Sequence, residues 1–392
     1  MTALVVFVVS AALVAWVYAG YPLMLALLGR LRPRPRRRAP LEPPLSVIVA
    51  AHNEVAVIAD KVADVLASDY PAPLLEFVVA SDGSDDGTVE AARRAGATRV
   101  LDLPRVGKLA ALNRAAEISS GEILVFTDAD TRFERRTLRE LVSNFADEHV
   151  GGVAANVVRC VEEDGRPVAR GEGLYWRYER FVKRLEDRVG SVVSASGHLY
   201  AVRRRCFTPS TVVAGTDDFL ISSHVVRAGA RLAFDERAIV LVATPDESVT
   251  ELRRKVRVMN GGLRSALALG DALLPTRTGL YAVEVVFHKL LRRLAGFFLV
   301  TLLAGSVVLA ARNPIWWIAL APQLGFYALA AAGGLLAGTR WGRLRPLWVP
   351  FFFCLANGAA ALSVLSLLAG VRFERWEPVD MRGGARGGAP GR

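Results

Sequence analysis

The stretch EILVFTDAD (Glu122–Asp130) places two aspartates directly after a short, almost wholly apolar run. A continuous apolar run that ends in polar residues is typical of a strand buried on both faces of a parallel sheet. In an extended loop, two aspartates separated by one residue can project to one side and share a hard cation such as Mg²⁺ through oxygen ligands. The stretch therefore predicts a buried strand whose carboxyl end carries a metal site formed by Asp128 and Asp130.

The residues before this stretch repeat the alternation of an apolar run and a segment with helical spacing. The apolar runs predict strands at Leu45–Ala51, Leu75–Ala80, Arg99–Leu101 and Glu122–Thr127. The helical spacing predicts helices at Glu54–Leu66, Asp85–Ala95 and Lys108–Ile118. Strands that alternate with helices predict an α/β domain on a doubly wound, mostly parallel sheet, which is a Rossmann-like arrangement.

Polar loops follow three of the predicted strands, at the edge where ligands bind in such sheets. Their sequences are His52-Asn53-Glu54, Ser81-Asp82-Gly83-Ser84 and Asp128-Ala129-Asp130. Each loop alone has a structural explanation, because Asn and Asp cap helices and Asp-Gly forms turns. Three such loops at one edge instead predict a cation site, since crowded carboxylates repel one another. Lys108 opens a helix nearby, where it either adds positive charge beside a phosphate or is a plain solvated lysine.

Apolar residues are unevenly distributed along the 392-residue chain, of which 52% is hydrophobic. Because about 20 apolar residues span a bilayer, four uncharged segments predict membrane spans: Ala3–Leu28, Leu294–Ala311, Ile315–Ala337 and Leu347–Gly370. The middle of the chain has an ordinary mixture of charge and apolar periodicity. This distribution excludes a wholly soluble protein and a pure transporter-like bundle, and it predicts a multi-pass protein of the cell membrane.

The net charge of +11 is concentrated beside the predicted spans, where six arginines lie between Arg30 and Arg38. Positive charge next to a span marks its cytoplasmic side and binds anionic lipids, so we expect a cytoplasmic middle domain and membrane lipids as partners. Nucleic acid is not an expected partner, because no nucleic-acid module signature is present. Three scattered cysteines without a C-x-x-C pair fit a reducing compartment and argue against a cysteine zinc site.

The predicted organisation has six parts. They are an anchor at 1–29, a basic, proline-rich linker at 30–44, the α/β domain at 45–270, an amphipathic interfacial helix at 271–293, a region of about three spans at 294–371, and a tail at 372–392. Three spans would put the arginine-bearing tail outside the cell. Either one stretch does not cross the membrane, or the charge of the tail does not control the topology.

An ordered set of motifs makes the middle of the chain resemble a family 2 glycosyltransferase with the GT-A fold. The resemblance covers about Leu45–Leu269, and with its flanking spans the chain is similar to membrane-embedded synthases of the poly-N-acetylglucosamine, hyaluronan and cellulose type. The matching motifs are SVIVAAHNE (Ser46–Glu54), SDGSDDGT (Ser81–Thr88), GKLAALNRA (Gly107–Ala115), FTDAD (Phe126–Asp130), SGHLYAVRR (Ser196–Arg204) and GTDDF (Gly215–Phe219).

The resemblance implies an inverting transfer of a sugar from a nucleotide diphosphate donor, usually UDP-linked, to a hydroxyl of a saccharide or lipid acceptor. It implies roles for matched residues: Asn53, Glu54 and Asp82 on the nucleotide, Asp128 and Asp130 on Mg²⁺ or Mn²⁺ bridged to the diphosphate, Asp218 as the catalytic base with Asp217 beside it, and Ser196, Gly197 and His198 on the acceptor side. Without these motifs, Asp217-Asp218 beside Thr216 would be interpreted as a helix N-cap.

The stretch after the base departs from the Q-x-x-R-W pattern of relatives that polymerise. Arg254 replaces the Gln, Arg257 is kept, and Val258 replaces the Trp. Arg257, with Arg254, can pair with diphosphate oxygens, whereas Val258 offers no aromatic face to an acceptor sugar. Processive synthesis and single addition both stay open. So do a polyprenyl-phosphate glycosyltransferase, a non-catalytic nucleotide-sugar-binding membrane protein, and a partner subunit for export.

Overall fold

Apolar helices precede and follow a region of alternating strands and helices in the computed structural model, which describes residues 1–160, 167–212, 215–243 and 248–371. The predicted tail at 372–392 lies outside the described residues. The strands are β1 (Leu45–Ala51), β2 (Leu75–Asp82), β3 (Arg99–Leu103), β4 (Ile123–Thr127), β5 (Arg132–Phe133), β6 (Val150–Cys160), β7 (Leu199–Arg203) and β8 (Arg231–Ala243).

The helices follow the same chain order. They are α1 (Thr2–Ala15), α2 (Tyr21–Leu31), α3 (Val55–Leu66), α4 (Thr88–Arg94), α5 (Lys108–Ile118), α6 (Thr137–Ser143), α7 (Pro167–Val189), α8 (Asp217–Arg227), α9 (Ser248–Ala268), α10 (Pro275–Thr278), α11 (Leu280–Glu284), α12 (Ala295–Arg312), α13 (Trp317–Leu335) and α14 (Arg345–Leu368). A π-helical segment, Trp16–Gly20, joins α1 to α2.

The strands form one eight-stranded sheet in the order β3-β2-β1-β4-β7-β6-β8-β5. The half from β3 to β4 is parallel, with Val47 of β1 opposite Phe77 of β2 and Val125 of β4. This half confirms the predicted α/β fold. The other half is mixed, because β7 runs antiparallel to both β4 and β6 while β6 and β8 are parallel.

Both faces of β1 are covered, which explains its continuous apolar sequence. Val47 and Val49 pack with α3, whereas Ile48 and Ala50 lie in a second cluster with Ala111 and Leu112 of α5. Successive side chains of a strand point to opposite faces, so a strand between two helical layers requires apolar residues at every position. Each fully buried large apolar side chain contributes roughly 1.5–3 kcal/mol.

Helix α4 begins later than the predicted Asp85, because the residues before Thr88 form a loop fixed by Asp86. One oxygen of the Asp86 carboxylate accepts from the Thr88 amide at 3.0 Å, and the other accepts from the Val55 amide at 3.1 Å. Gly87 has a φ of +92°, which L side chains rarely adopt. The loop after β2 is therefore attached to the start of α3, and this attachment brings two of the predicted ligand loops together.

The basic linker runs along the α/β domain and binds its carboxylates. Arg36 forms an ion pair with Asp187, and the Arg38 guanidinium lies 2.8 Å from the Asp235 carboxylate. Asp235 is 1% exposed and also accepts from Asn144 and from the Arg237 amide. These two arginines therefore fix the direction in which the chain enters the domain.

Four helical runs are long and apolar enough to cross a membrane: Thr2–Leu31, Leu280–Arg312, Pro314–Leu335 and Arg345–Leu368. The run Leu280–Arg312 contains the predicted boundary between the interfacial helix and the first C-terminal span. Within it, the His288 side chain is buried, with Nδ1 2.6 Å from Glu186 and Nε2 3.1 Å from Glu179. That part of the predicted interfacial helix is thus packed against α7.

We expect Asp235→Ala to destabilise the protein by about 2 kcal/mol, because the Arg38 guanidinium and the Asn144 amide each lose a hydrogen bond to a buried carboxylate. The midpoint of thermal unfolding in detergent should fall by about 4–8 °C. Asp60→Ala is the matched control, since Asp60 pairs with Arg132 at the surface with 55% and 51% of the two side chains exposed and such pairs contribute little. Equal midpoints for the two variants would contradict this account of the linker.

Candidate active site

Asp128 and Asp130 lie directly after β4, on a turn at the carboxyl end of the parallel strands. Oδ1 of Asp128 accepts a hydrogen bond from Nζ of Lys108, the first residue of α5, at 2.7 Å. Although burial acts to raise it, the charges of Lys108 and His198 hold the pKa of Asp128 below its ordinary value. Asp128 is therefore an ionised ligand candidate that is already paired with one cation.

Nearby cations compensate the negative charges of Asp130 and Glu54 less well than they compensate the charge of Asp128. Burial, with the charge of Asp128, raises the pKa of Asp130. Burial, with the charges of Asp130 and Asp128, raises the pKa of Glu54 to about 7. Crowded, partly buried carboxylate oxygens of this kind are what a hard divalent cation binds.

The carboxylate oxygens at this turn also match the way in which Mg²⁺ and Mn²⁺ are held beside phosphates. Among the described residues, no group of three or more His, Cys, Asp and Glu side chains could hold an ion from protein atoms alone. Mg²⁺ is usually held by one or two carboxylates, with water and substrate phosphates completing its shell. Asp128 and Asp130 fit a divalent ion of this kind.

Asp217 and Asp218 form the amino end of α8 and face the same turn. Oδ2 of Asp218 accepts from the Gly197 amide at 3.1 Å, and Oδ1 accepts from the Phe219 amide at 2.7 Å. Oδ2 of Asp217 lies 3.4 Å from the Lys108 amine, and burial raises the pKa of Asp217 to about 6. One lysine therefore links the predicted metal motif to the predicted catalytic pair.

The loop Ser196–His198 lies between these two groups, before β7. A Cβ atom on Gly197 would lie 3.6 Å from Oδ2 of Asp128 and 3.9 Å from the Lys108 amine. Ser196 Oγ and His198 Nδ1 are 2.8 Å apart, and the His198 carbonyl accepts from the Thr127 hydroxyl at 2.8 Å. The structure thus brings the predicted acceptor loop within reach of both aspartate pairs.

The predicted nucleotide-binding residues hold two loops at the same edge. Asn53 has a φ of +56°, and its Oδ1 accepts from the Asp85 amide at 3.0 Å. Asp82 is fully buried, and its Oδ1 accepts from the amides of Val106 and Gly107 at 2.6 and 2.9 Å. Asp82 therefore shapes the loop that leads to Lys108, and direct contact of its carboxylate with a nucleotide stays a prediction.

Arg254 and Arg257 lie partly buried on α9, and their contact with a donor also stays a prediction. Lys61, which none of the sequence motifs identified, is 1% exposed beneath the turn after β4. Its position could have been found from the apolar spacing of α3, where the buried residues are Ile58, Lys61, Val62 and Val65. A lysine within an apolar stripe is a buried charge that needs partners.

Comparison with known proteins relates this geometry to glycosyltransferases. Residues 46–207 match the family model for glycosyl transferase family 2. An N-acetylglucosaminyltransferase of Azorhizobium caulinodans is 27% identical over 249 residues, which are 59% of this chain and 62% of that protein. A beta-monoglucosyldiacylglycerol synthase of Trichormus variabilis is 24% identical over 322 residues, 76% of this chain and 65% of that protein. In both, the match spans less than two thirds of the relative.

One solved structure is similar over nearly the whole chain. It is the mannosyltransferase PcManGT from Pyrobaculum calidifontis in complex with GDP-Man and Mn²⁺. The TM-score is 0.67 at 25% sequence identity, and the superposition covers 93% of this chain and 99% of that chain. The likeness therefore includes the flanking helices as well as the α/β domain.

We expect Glu54→Gln to raise the midpoint of thermal unfolding of the metal-free protein by a few degrees at pH 8. The raised pKa means that the folded protein binds this proton more tightly than the unfolded chain does, so ionisation of Glu54 destabilises the fold as the pH rises towards and above 7. Gln cannot ionise, and the difference between variant and wild type should shrink as the pH is lowered towards 5. Glu90→Gln on α4 is the exposed control. A difference that does not change with pH would contradict the assignment.

Proposed function

The chain carries a family 2 glycosyltransferase domain with the GT-A fold, and on that premise we propose that it is a membrane-bound inverting glycosyltransferase. It transfers a sugar from a nucleotide diphosphate donor to a hydroxyl of a saccharide or lipid acceptor. The observation that carries the proposal is the position of Lys108, whose amine lies 2.7 Å from Asp128 and 3.4 Å from Asp217. This position supports a single site that contains both the metal motif and the acidic pair.

Each group at the site has a part in the proposed reaction. Asp128 and Asp130 would hold Mg²⁺ or Mn²⁺, which as a Lewis acid offsets the charge of the departing diphosphate. Asp218 takes the proton from the acceptor hydroxyl as that oxygen attacks the sugar carbon from the face opposite the diphosphate. The Gly197 amide, 3.1 Å from Oδ2 of Asp218, orients this carboxylate. A single displacement of this kind inverts the configuration and forms no covalent sugar–enzyme intermediate.

We propose a UDP-sugar as the first donor to test, because the family that the motifs resemble usually takes UDP-linked sugars. GDP-mannose is the second, because PcManGT is solved with GDP-Man and Mn²⁺. The relatives are named for transfer of N-acetylglucosamine and for synthesis of a glycolipid, which supports both saccharide and lipid acceptors. Val258 on α9 is 47% exposed and offers no stacking surface. We therefore propose addition of one or a few sugars rather than a long polymer.

We also propose that the domain lies in the cytoplasm and that the four apolar helical runs cross the cell membrane. The basic residues beside them support this arrangement, since Arg30 lies at the end of the first run, Arg340 lies between the last two runs and Arg345 begins the last one.

We expect Asp218→Asn to lower transfer to a hydroxyl acceptor about 10²–10⁴-fold, because the base is lost, while donor binding changes by less than about threefold. Asp130→Asn should instead abolish the dependence of nucleotide binding on the metal. The assay uses purified protein in lipid with labelled UDP-sugars and GDP-mannose, with Mn²⁺ or Mg²⁺, followed by product sizing. Asp102→Asn, on the exposed part of β3, is the matched control.

The same assay separates the alternatives. A polyprenyl-phosphate glycosyltransferase would keep transfer to a lipid phosphate after Asp218→Asn, because a phosphate acceptor does not need that base. A non-catalytic nucleotide-sugar-binding protein would bind donor without turnover in the wild type. Full activity of both Asp218→Asn and Asp130→Asn would contradict the proposed mechanism.

The proposed topology predicts the labelling of single cysteines placed in a variant without native cysteines. Glu117→Cys on α5 and Gly338→Cys, between α13 and α14, should react with a membrane-impermeant maleimide only after permeabilisation. Asn313→Cys, between α12 and α13, should react in intact cells. Labelling of Glu117→Cys in intact cells would place the domain outside and overturn the proposed topology.

A further inference from the structure

Lys61 is a fully buried lysine beneath the turn that carries the aspartates. Its Nζ donates hydrogen bonds to the Thr131 hydroxyl at 2.9 Å, to the Thr131 carbonyl at 3.0 Å and to the Thr127 hydroxyl at 3.1 Å. It also lies 3.7 Å from the centroid of the Phe133 ring. All three hydrogen-bond acceptors are neutral oxygens, and three N–H groups are what the charged amine provides.

The two threonines continue these hydrogen bonds into the site. The Thr131 hydroxyl donates to the carbonyl of Asp128 at 2.9 Å. The Thr127 hydroxyl donates to the carbonyl of His198 at 2.8 Å. Lys61 is therefore the buried centre of a hydrogen-bonded chain that joins the metal turn to the acceptor loop.

Helix α3 holds the other side of the same turn. Oδ2 of Asp64, three residues after Lys61, accepts from the Phe133 amide at 2.8 Å. Asp60 pairs with Arg132 at 2.8 Å. Among the described residues, no carboxylate lies within 4 Å of the Lys61 amine, which therefore acts on the aspartates through the backbone between them.

We infer that Lys61 is a positioning residue for the divalent cation, because its amine holds the turn from Asp128 to Thr131 in the shape that lets both aspartates bind one ion. The inference rests on the proposed function, since it takes these aspartates as the ligands. It adds a residue from α3 to a site otherwise built from the edge loops. In this proposal, Lys61 contacts neither the divalent ion nor the nucleotide-sugar donor.

The direction of the change in metal affinity distinguishes a positioning role of Lys61 from a direct effect of its charge. A lysine near a cation site repels the cation, so loss of its charge alone would strengthen metal binding. Loss of this repulsion does not explain weaker metal binding in a variant without the amine, whereas a turn that has lost its shape does.

The test compares Lys61→Met and Lys61→Gln with the wild type and with Glu76→Gln. Glu76 is the matched control, because it is a buried charged residue at the opposite end of the same sheet, where it accepts from Ser46 and Ser120. The dissociation constant for Mn²⁺ is measured by electron paramagnetic resonance with UDP and, separately, with GDP. Hydrogen exchange of residues 128–133 is measured in the metal-free protein.

We expect Lys61→Met to weaken Mn²⁺ binding at least tenfold and Lys61→Gln at least threefold. Both should speed exchange in residues 128–133, whereas Glu76→Gln should leave both readouts within twofold of the wild type. Wild-type affinity in Lys61→Met, or tighter binding, would overturn the inference. If Lys61→Met does not fold, wild-type affinity in Lys61→Gln has the same consequence. Absence of Mn²⁺ binding in the wild type would instead contradict the proposed function, and the inference would fall with it.

Discussion

The repulsion between carboxylates at the carboxyl edge of the sheet is the constraint on which this site depends. Asp128, Asp130, Asp217, Asp218 and Glu54 all face this edge, and burial removes the water that would screen them. Lys108 relieves part of the repulsion by contacting Asp128 and Asp217 together. Burial first, and then the charges of neighbouring carboxylates, raise the pKa values of Glu54 and Asp130. Part of the repulsion therefore stays in place, and a bound divalent cation would offset it.

The chain brings these groups together by topology. Strands β1, β2 and β4 are parallel and deliver their loops to one edge, whereas β7 runs antiparallel to β4 and delivers the loop that precedes it to the same edge. The Gly197 amide then meets Asp218, and the His198 carbonyl meets Thr127. A reversed direction of β7 would put the predicted acceptor loop at the far end of the sheet, so the proposed site requires the mixed half of the sheet.

The parallel half of the fold and the convergence of three loops could be predicted from sequence, because buried strands and the polar residues after them leave a local pattern. Bonds between distant residues leave no such pattern. The partners of Arg36 and Arg38 lie about a hundred residues or more downstream, and the role of Asp82 in holding the loop before Lys108 follows from two backbone amides. Likewise His288, predicted on an interfacial face, is buried because Glu179 and Glu186 of α7 are its partners.

The predicted acceptor side of the site lies beside the apolar helices. Phe219 follows Asp218, and the Lys289 amine lies 4.9 Å from the centre of its ring. Lys289 belongs to the helical run Leu280–Arg312, and Tyr21, in the first run, donates to Glu186 at 2.7 Å. Buried charges are stable only when they are paired. The contacts of Lys289 with Phe219 and of Tyr21 with Glu186 therefore hold the α/β domain against the apolar helices. On the proposed topology, Asp218 then lies close to the membrane, which favours an acceptor held at its surface over one that arrives from water.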